Sequence, residues 1–503
     1  MPHAATAETQ RRALEIAYRR ADLSLDDLWM GYFTLGGDAG LVEVEAYLAG
    51  LMALPGAQRD ILAHAVNERL DDLTTRLRVP YGRVLRSPPP SSGLLTALIG
   101  LLEGMEGGPP ERLIGVLDSA AALLGVDVTV YLVDYGQRSL IPLRTAAARP
   151  RTFIPGRPLP IESTLAGRAF QHVQIMAARD TDGRAQLWVP LLDGAERLGV
   201  LEVGLAGVDD PDDPNLRWEC RWLSGLVGHL ITASTSYGDA LDAVRRLHPR
   251  SDSAELIWNL LPAMTATTDR FIVAGQFEPT DRVGGDAFDY ALSEDHASVA
   301  IFDSTGHSMT SGLVTAAALS ASRSVRRDGG GLSQQAAAID QVVRTRFRDR
   351  GLYVTAVLTD LDLTSGRLRY VAAGHPAPLL VRDGRVVKAL TGGRRPMLGV
   401  GAEDVGVAEE WLQPGDSLLL YTDGVPEARD DHGQFFGVDR LSDFLRRAMA
   451  AGFPAPETVR RLTAAVLDHQ HGQLQDDATV VLSTWLSAEP GHGPSHPETQ
   501  PWI

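Results

Sequence analysis

Ala297-Ser298-Val299-Ala300-Ile301-Phe302-Asp303-Ser304-Thr305-Gly306-His307-Ser308 reads as a short apolar β-strand that ends on the carboxylate of Asp303 and passes into a small-residue turn. Strands of the same kind lie on both sides of it. They are Phe271 to Phe277, Ala287 to Leu292, Tyr353 to Leu361, Leu368 to Ala373, Leu379 to Val381, Val386 to Leu390, Ser417 to Tyr421 and Ala478 to Leu482. Turn chemistry such as Thr364-Ser365-Gly366-Arg367 and Arg382-Asp383-Gly384-Arg385 separates many of them. Helical pairs are inserted between strands, Gly312 to Arg326 with Gln334 to Arg348 and Val438 to Ala450 with Pro456 to Gln470. Mostly antiparallel strands with inserted helix pairs predict two packed sheets flanked by helices on both outer sides, an α-β-β-α sandwich over residues 263–487.

Four acids stand out by their place on this framework. Asp303 ends one strand, Asp423 follows the strand Leu418 to Tyr421, and Asp476 precedes Ala478 to Leu482. Antiparallel neighbours put the end of one strand beside the start of the next, so these three carboxylates can meet at one edge. Asp286 comes from the loop Val283-Gly284-Gly285-Asp286, where two glycines permit close backbone approaches, and it can join them. Clustered carboxylates repel unless cations sit between them, and an all-oxygen donor set suits Mg²⁺ or Mn²⁺. Two such ions can activate a water and clamp a phosphoryl group, which predicts phosphate-ester hydrolysis without a covalent enzyme intermediate.

Five motifs carry a family resemblance in this half: Val283-Gly284-Gly285-Asp286-Ala287-Phe288-Asp289-Tyr290, Asp303-Ser304-Thr305-Gly306-His307-Ser308, Ala373-Gly374-His375-Pro376-Ala377-Pro378, Tyr421-Thr422-Asp423-Gly424-Val425-Pro426-Glu427-Ala428 and Asp476-Asp477-Ala478-Thr479. In order and over about 230 residues, the chain resembles the PP2C-type (PPM) phosphatases of the bacterial SpoIIE and RsbU branch. That resemblance implies a metal-dependent protein serine/threonine phosphatase with two Mn²⁺ or Mg²⁺ ions. Asp303 would bridge both ions, the Ser304 carbonyl would bind one, and Asp423 and Asp476 would each bind one. Asp286 would hold a metal directly or through water. Asp477 and Asp289 divide evenly between a metal role and a hydrogen-bonding role. His307 and His375 read as structural, and Ser308 stands where the family more often has glycine. The resemblance also implies a phosphorylated protein as substrate, often an anti-sigma-factor antagonist of the STAS type. A non-catalytic regulator that keeps the fold is the competing reading, and four intact acids weigh against it.

The rest of the chain is organised differently. Residues 1–85 read as a helical module, and three consecutive prolines at Pro88 to Pro90 open a linker placed at 86–109. Residues 110–235 read as an α+β sensory domain with a helix over Leu113 to Leu124, a strand at Val128 to Val133, a hairpin around Asp193-Gly194-Ala195-Glu196 and a closing helix. Leu124-Gly125-Val126, Ser163-Thr164-Leu165-Ala166-Gly167 and Leu198-Gly199-Val200-Leu201 give it the look of a GAF domain, and no residue marks it for a cofactor. Cys220, on the closing helix, reads as a packed cysteine. Residues 236–262 carry an apolar helical stripe broken at His248-Pro249-Arg250, which fits either a plain linker or a homodimerising, signal-transmitting pair of helices. The tail 488–503 is rich in Pro, Gly, His and Ser and is expected to be disordered.

Composition bounds the partners. The 503 residues carry a net charge of −17 and a single lysine, Lys388, with no concentrated basic stretch, which argues against a nucleic-acid partner. One cysteine excludes an intrachain disulfide and a Cys-rich zinc site. No signal-peptide pattern and no run of about 18 apolar residues is present, so the expectation is a cytoplasmic location and no membrane partner.

Overall fold

In the computed structural model, which describes residues 7–21, 23–76, 93–146, 149–179, 183–205, 210–280, 284–306, 309–347, 351–401 and 406–486, four helices come first. These are α1 (Ala7–Arg20), α2 (Leu25–Thr34), α3 (Leu41–Leu48) and α4 (Gly56–Arg76). Leu28, Tyr32, Val44 and Leu62 bury into a small core of their own. The Tyr32 hydroxyl sits in it, donating to Gln58 Oε1 and accepting from the Ala39 N–H at 2.9 Å.

The linker expected over 86–109 is corrected in its second part. Residues 93–105 form α5 (Gly93–Met105), because Leu94, Ala97, Leu101 and Met105 recur at helical spacing and bury one face, and the prolines end before it begins. Residues 86–92 lie outside the described residues, as does the tail 488–503. A central unit follows, comprising α6 (Leu113–Leu124), β1 (Val126–Val133), β2 (Ser139–Ala146), β3 (Arg149–Pro155), β4 (Leu159–Pro160), α7 (Leu165–His172), β5 (Met176–Arg179), β6 (Ala185–Asp193), β7 (Glu196–Leu205) and α8 (Pro214–Thr235). Its sheet runs β3-β2-β1-β7-β6-β5, with β4 paired to β2. Helices α5, α6 and α8 cover one face and α7 the other. Cys220 is buried under α8 in the first of these cores, and burial pushes its thiol up to about 12, so it acts as a small apolar side chain.

Helices α9 (Ala240–Arg245) and α10 (Asp252–Trp258) flank the break at His248-Pro249-Arg250. Their apolar residues point into the chain itself. Leu241 and Val244 enter the core of the central unit, while Ile257 enters that of the C-terminal half. Leu247 of the same apolar stripe stays exposed between the two helices.

The C-terminal half comprises β8 (Thr265–Thr268), β9 (Phe271–Glu278), β10 (Asp286–Leu292), β11 (His296–Ser304), α11 (Met309–Arg327), α12 (Leu332–Phe347), β12 (Val354–Asp362), β13 (Arg367–Ala373), β14 (Leu379–Arg382), β15 (Arg385–Ala389), β16 (Arg394–Arg395), β17 (Ala408–Trp411), β18 (Ser417–Tyr421), α13 (Gly437–Ala450), α14 (Ala455–His469) and β19 (Ala478–Trp485). One sheet runs β10-β11-β12-β13-β16 with β17 on β13, and the other β15-β14-β18-β19-β9-β8. Strand alternation sorts the side chains between layers. Ile301, Leu418 and Leu420 face the space between the sheets, where they meet Val273, Phe288 and Val481. Phe302 faces the other way, onto Val314 and Leu319 of α11 and Ile339 of α12. Leu419 likewise meets Leu445 of α13 and Leu462 of α14. The layers are thus helix, sheet, sheet, helix.

A buried ion cluster joins the central unit to this half. Arg197 of β7 donates to Glu457 of α14 at 3.1 Å and to Gln137 at 3.0 Å, and both ionised side chains are almost wholly buried. Arg460 donates to Glu457 at 2.8 and 2.7 Å and to the Gln137 carbonyl at 3.2 Å, and it also pairs with Glu162.

Contact between the two sheets depends on a fit of shapes. A Cβ on Gly275 of β9 would lie 2.5 Å from the ring of Phe288 on β10, so the ring fills the space the glycine leaves. Phe288→Ala should empty that space and lower stability by about 3–5 kcal/mol, read as a shifted urea unfolding midpoint at unchanged slope.

Candidate active site

Strand register brings the first two acids together. Asp286 opens β10 and pairs directly with Asp303 near the end of β11. The second sheet supplies the others: β18 and β19 are antiparallel neighbours, with Tyr421 opposite Val480, so the loop after β18 and the approach to β19 share one end. How tightly they share it is visible at Gly424, where a Cβ would fall 2.0 Å from the Asp477 carbonyl oxygen and 3.4 Å from Asp476 Cβ. Only glycine fits there. Ser304 is buried beside them, its hydroxyl donating to the Ser311 carbonyl at 2.9 Å.

The cluster is held by hydrogen bonds from small groups. The Thr422 hydroxyl donates to Asp286 Oδ2 at 2.7 Å and accepts the Thr479 N–H at 3.0 Å. Asp477 accepts the Thr280 N–H on Oδ1 and the Gly285 N–H on Oδ2, both at 2.8 Å. It thereby fixes the backbone directly before Asp286. Thr422 and Thr280 in this clamping role were not singled out from the sequence, whereas hydrogen bonding was one of the two roles open for Asp477. The signal for Thr422 is strand alternation, which turns Leu419 and Tyr421 toward α13 and α14 and Thr422 to the side of Leu418 and Leu420.

Burial and mutual charge act on these side chains together. Burial, with the charges of Asp423, Asp476 and Asp477 added, pushes Asp303 up to about 7. Burial and the charges of Asp303 and Asp477 push Asp286 well above the usual carboxylate range. Partial burial, with Asp477, Asp423 and Glu427 nearby, pushes Asp476 up to about 6. Such a group favours any cation that can enter it.

Asp289 is a different case. Three residues along β10 from Asp286, it projects from the opposite face. There it accepts from Arg323 at 2.7 and 3.1 Å and from Arg326 at 2.7 Å, anchoring α11 to the sheet. His375 is also fully engaged. Its Nε2 lies 3.1 Å from the Tyr421 carbonyl oxygen and its Nδ1 2.7 Å from Thr355 Oγ1. A carbonyl only accepts, so Nε2 carries the proton and Nδ1 accepts from the Thr355 hydroxyl. Burial lowers this histidine to about 3, which keeps it neutral. Val283, His307 and Ser308 lie outside the described residues.

The donor set of carboxylate and backbone oxygens, without a thiolate, fits a hard divalent cation. Among the described residues no three His, Cys, Asp or Glu side chains close onto a single point as a finished cage. The oxygen chemistry of the donors and the strand register that gathers them, rather than a closed cage, are what support the fit.

Residues 293–486 match the family described as Stage II sporulation protein E (SpoIIE). The C-terminal half is a SpoIIE-type domain of the PP2C phosphatase class. Phosphoserine phosphatase RsbU of Bacillus subtilis is 23% identical over 205 residues, 41% of this chain and 60% of RsbU. Protein IcfG of Synechocystis is 25% identical over 269 residues, 48% of this chain and 42% of IcfG. The chain thus spans less than two thirds of either relative. Among solved structures, the SiaA-PP2C domain of Pseudomonas aeruginosa is 27% identical, with a TM-score of 0.38, over 43% of this chain and 86% of that one.

Within the SpoIIE-type domain, Asp477 offers a clean test because both its oxygens accept backbone N–H groups. Asp477→Asn would turn an NH₂ toward one of those donors. The expected cost is about 1–3 kcal/mol in unfolding free energy, together with faster amide exchange at Thr280 or Gly285.

Proposed function

We propose that this chain is a metal-dependent protein phosphatase that hydrolyses phosphoserine or phosphothreonine on a regulatory protein. The observation that carries the reading is the meeting of Asp286, Asp303, Asp423 and Asp476 at one edge of two stacked sheets in a SpoIIE-type domain. Asp303, the Ser304 carbonyl, Asp423 and Asp476 are the residues that would hold two Mn²⁺ or Mg²⁺ ions, with Asp286 joining directly or through water. Such cations, when bound, supply charge neutralisation at the phosphoryl group and a water made acidic enough to attack it.

The chain's own residues set the stage for that chemistry. Thr422 fixes the orientation of Asp286, and Asp477 fixes the Gly285 backbone that leads into it. Neutral His375 ties the Tyr421 carbonyl, at the root of the Asp423 loop, to Thr355 beside Asp303. This pins together the two strand ends that bring the acids. Preorganisation of this kind avoids reorganisation during the reaction.

The relatives suggest the substrate class. RsbU is named a phosphoserine phosphatase, and a phosphorylated STAS-type anti-sigma-factor antagonist is the partner we assign here. The central unit, an antiparallel sheet with helices on both faces, supports reading residues 110–235 as a GAF-like sensory domain that regulates the catalytic half in the cytoplasm. No described helix is long and apolar enough to cross a membrane.

Hydrolysis of an aryl phosphate by the full-length protein, with Mn²⁺ or with EDTA, tests the reading. Turnover should require the metal and fall to the EDTA level in Asp303→Asn and in Asp423→Asn, each checked for native circular dichroism. Metal-independent turnover, or variants as active as the parent, would sink the mechanism.

A further inference from the structure

A cavity of about 920 Å³ opens where the central unit, the break between α9 and α10, and the SpoIIE-type domain meet. That volume is in the range that encloses a small organic ligand. Its wall carries Arg138, Arg245, Arg246 and Arg250 against two acids, Asp134 and Glu278. Most of these arginines are occupied. Arg138 donates to Glu278 at 2.7 Å, Arg246 to Asp242 and Glu255 at 2.9 and 2.8 Å, and Arg245 to the Val133 carbonyl at 3.0 Å.

Arg250 is the exception. Its side chain is 8% exposed, and its guanidinium carbon lies 4.2 and 3.8 Å from the ring centres of Tyr135 and Trp258, which meet each other edge to face. Contact of the cation with this aromatic pair is favourable but supplies no acceptor for its N–H groups. Neither Nη1 nor Nη2 has a hydrogen-bond acceptor, and the nearest carboxylate oxygen, Glu255 Oε2, stands 3.8 Å away. Buried donors without acceptors cost free energy that an oxyanion would return through paired, charge-assisted bonds.

We infer that this cavity is a binding site for a small metabolite bearing an oxyanion group, with Arg250 as its principal recognition residue. Binding itself does not depend on the phosphatase reading; its consequence for the acid cluster does. Two walls of the cavity are also supports of that cluster. Thr280 lines it and gives its N–H to Asp477, and residues 472–475 line it immediately before Asp476. Arg250 lies two residues before α10, separated from it by the N-cap Ser251, and the backbone of α10 presses on the Asp286 loop: a Cβ at Gly284 would lie 2.5 Å from the Ala254 nitrogen. An occupant that engages Arg250 therefore bears on the acid cluster from both sides, so the site is placed to report a metabolite to the catalytic edge.

The test uses the full-length protein in EDTA, so that the acid cluster is metal-free and repels anions. Inorganic phosphate and citrate are titrated separately by calorimetry. At least one should bind saturably, phosphate alone pointing to a phosphorylated metabolite and citrate alone to a carboxylate one. Arg250→Met should weaken that binding about tenfold or more, and Arg250→Lys, which keeps the charge without the fork, by less. Hydrogen exchange should slow in residues 277–280 and 472–475 when the anion is added to the parent. Failure of both anions to bind, or binding undiminished in an Arg250→Met protein with native circular dichroism, overturns the assignment.

Discussion

Mutual repulsion among Asp286, Asp303, Asp476 and Asp477 is the force against which the C-terminal half is built. Four carboxylates in one partly buried field disperse unless something holds their backbones. Here the restraint is distributed. Register across β10 and β11 fixes one pair, backbone N–H groups of Thr280 and Gly285 clamp Asp477, and the Thr422 hydroxyl bridges from the second sheet to Asp286. None of these contacts is strong alone, and all depend on the sheets staying in contact, which the Phe288 ring and its apolar neighbours ensure. The apolar core is thus what keeps a polar edge in place.

The same residue type serves opposite purposes on one strand. Asp286 faces other acids and sits above its normal proton affinity, while Asp289 faces Arg323 and Arg326 and forms a neutralised anchor. Spacing decides which is which: an odd offset along a strand sends the two side chains to opposite faces. Among the described residues the clustered acid has no basic partner, and the anchoring acid has two.

Much of this was legible beforehand. Long strands such as β9, β11 and β12 carry enough apolar residues that their ends could be placed within a residue or two, and the acids follow from those ends. Edge elements were not legible. Ala408-Glu409-Glu410-Trp411 is not among the strands expected from the sequence, and it pairs as β17 along the edge of β13. Arg149 to Pro155 contains two prolines and no apolar alternation, and β2 recruits it as β3. Helix α5 was hidden by the prolines before it, since its apolar face has meaning only beside α6 and α8. For Asp477, adjacency to Asp476 gives no hint that one clamps the loop and the other stands at the rim; that division needs the position of Gly285, which lies far away in sequence.

The ion cluster of Arg197, Glu457 and Arg460 bears on how such chains can be recombined. Glu457 and Arg197 come from opposite halves, and each is shielded from water by the other's surroundings. A different domain spliced onto this C-terminal half would leave Glu457 and Arg460 to face whatever surface it brings, and a surface without a matching arginine and glutamine would dock poorly. The border between the halves is therefore a lock cut for one key, and the central unit and the C-terminal half fit each other as a pair rather than as interchangeable cassettes.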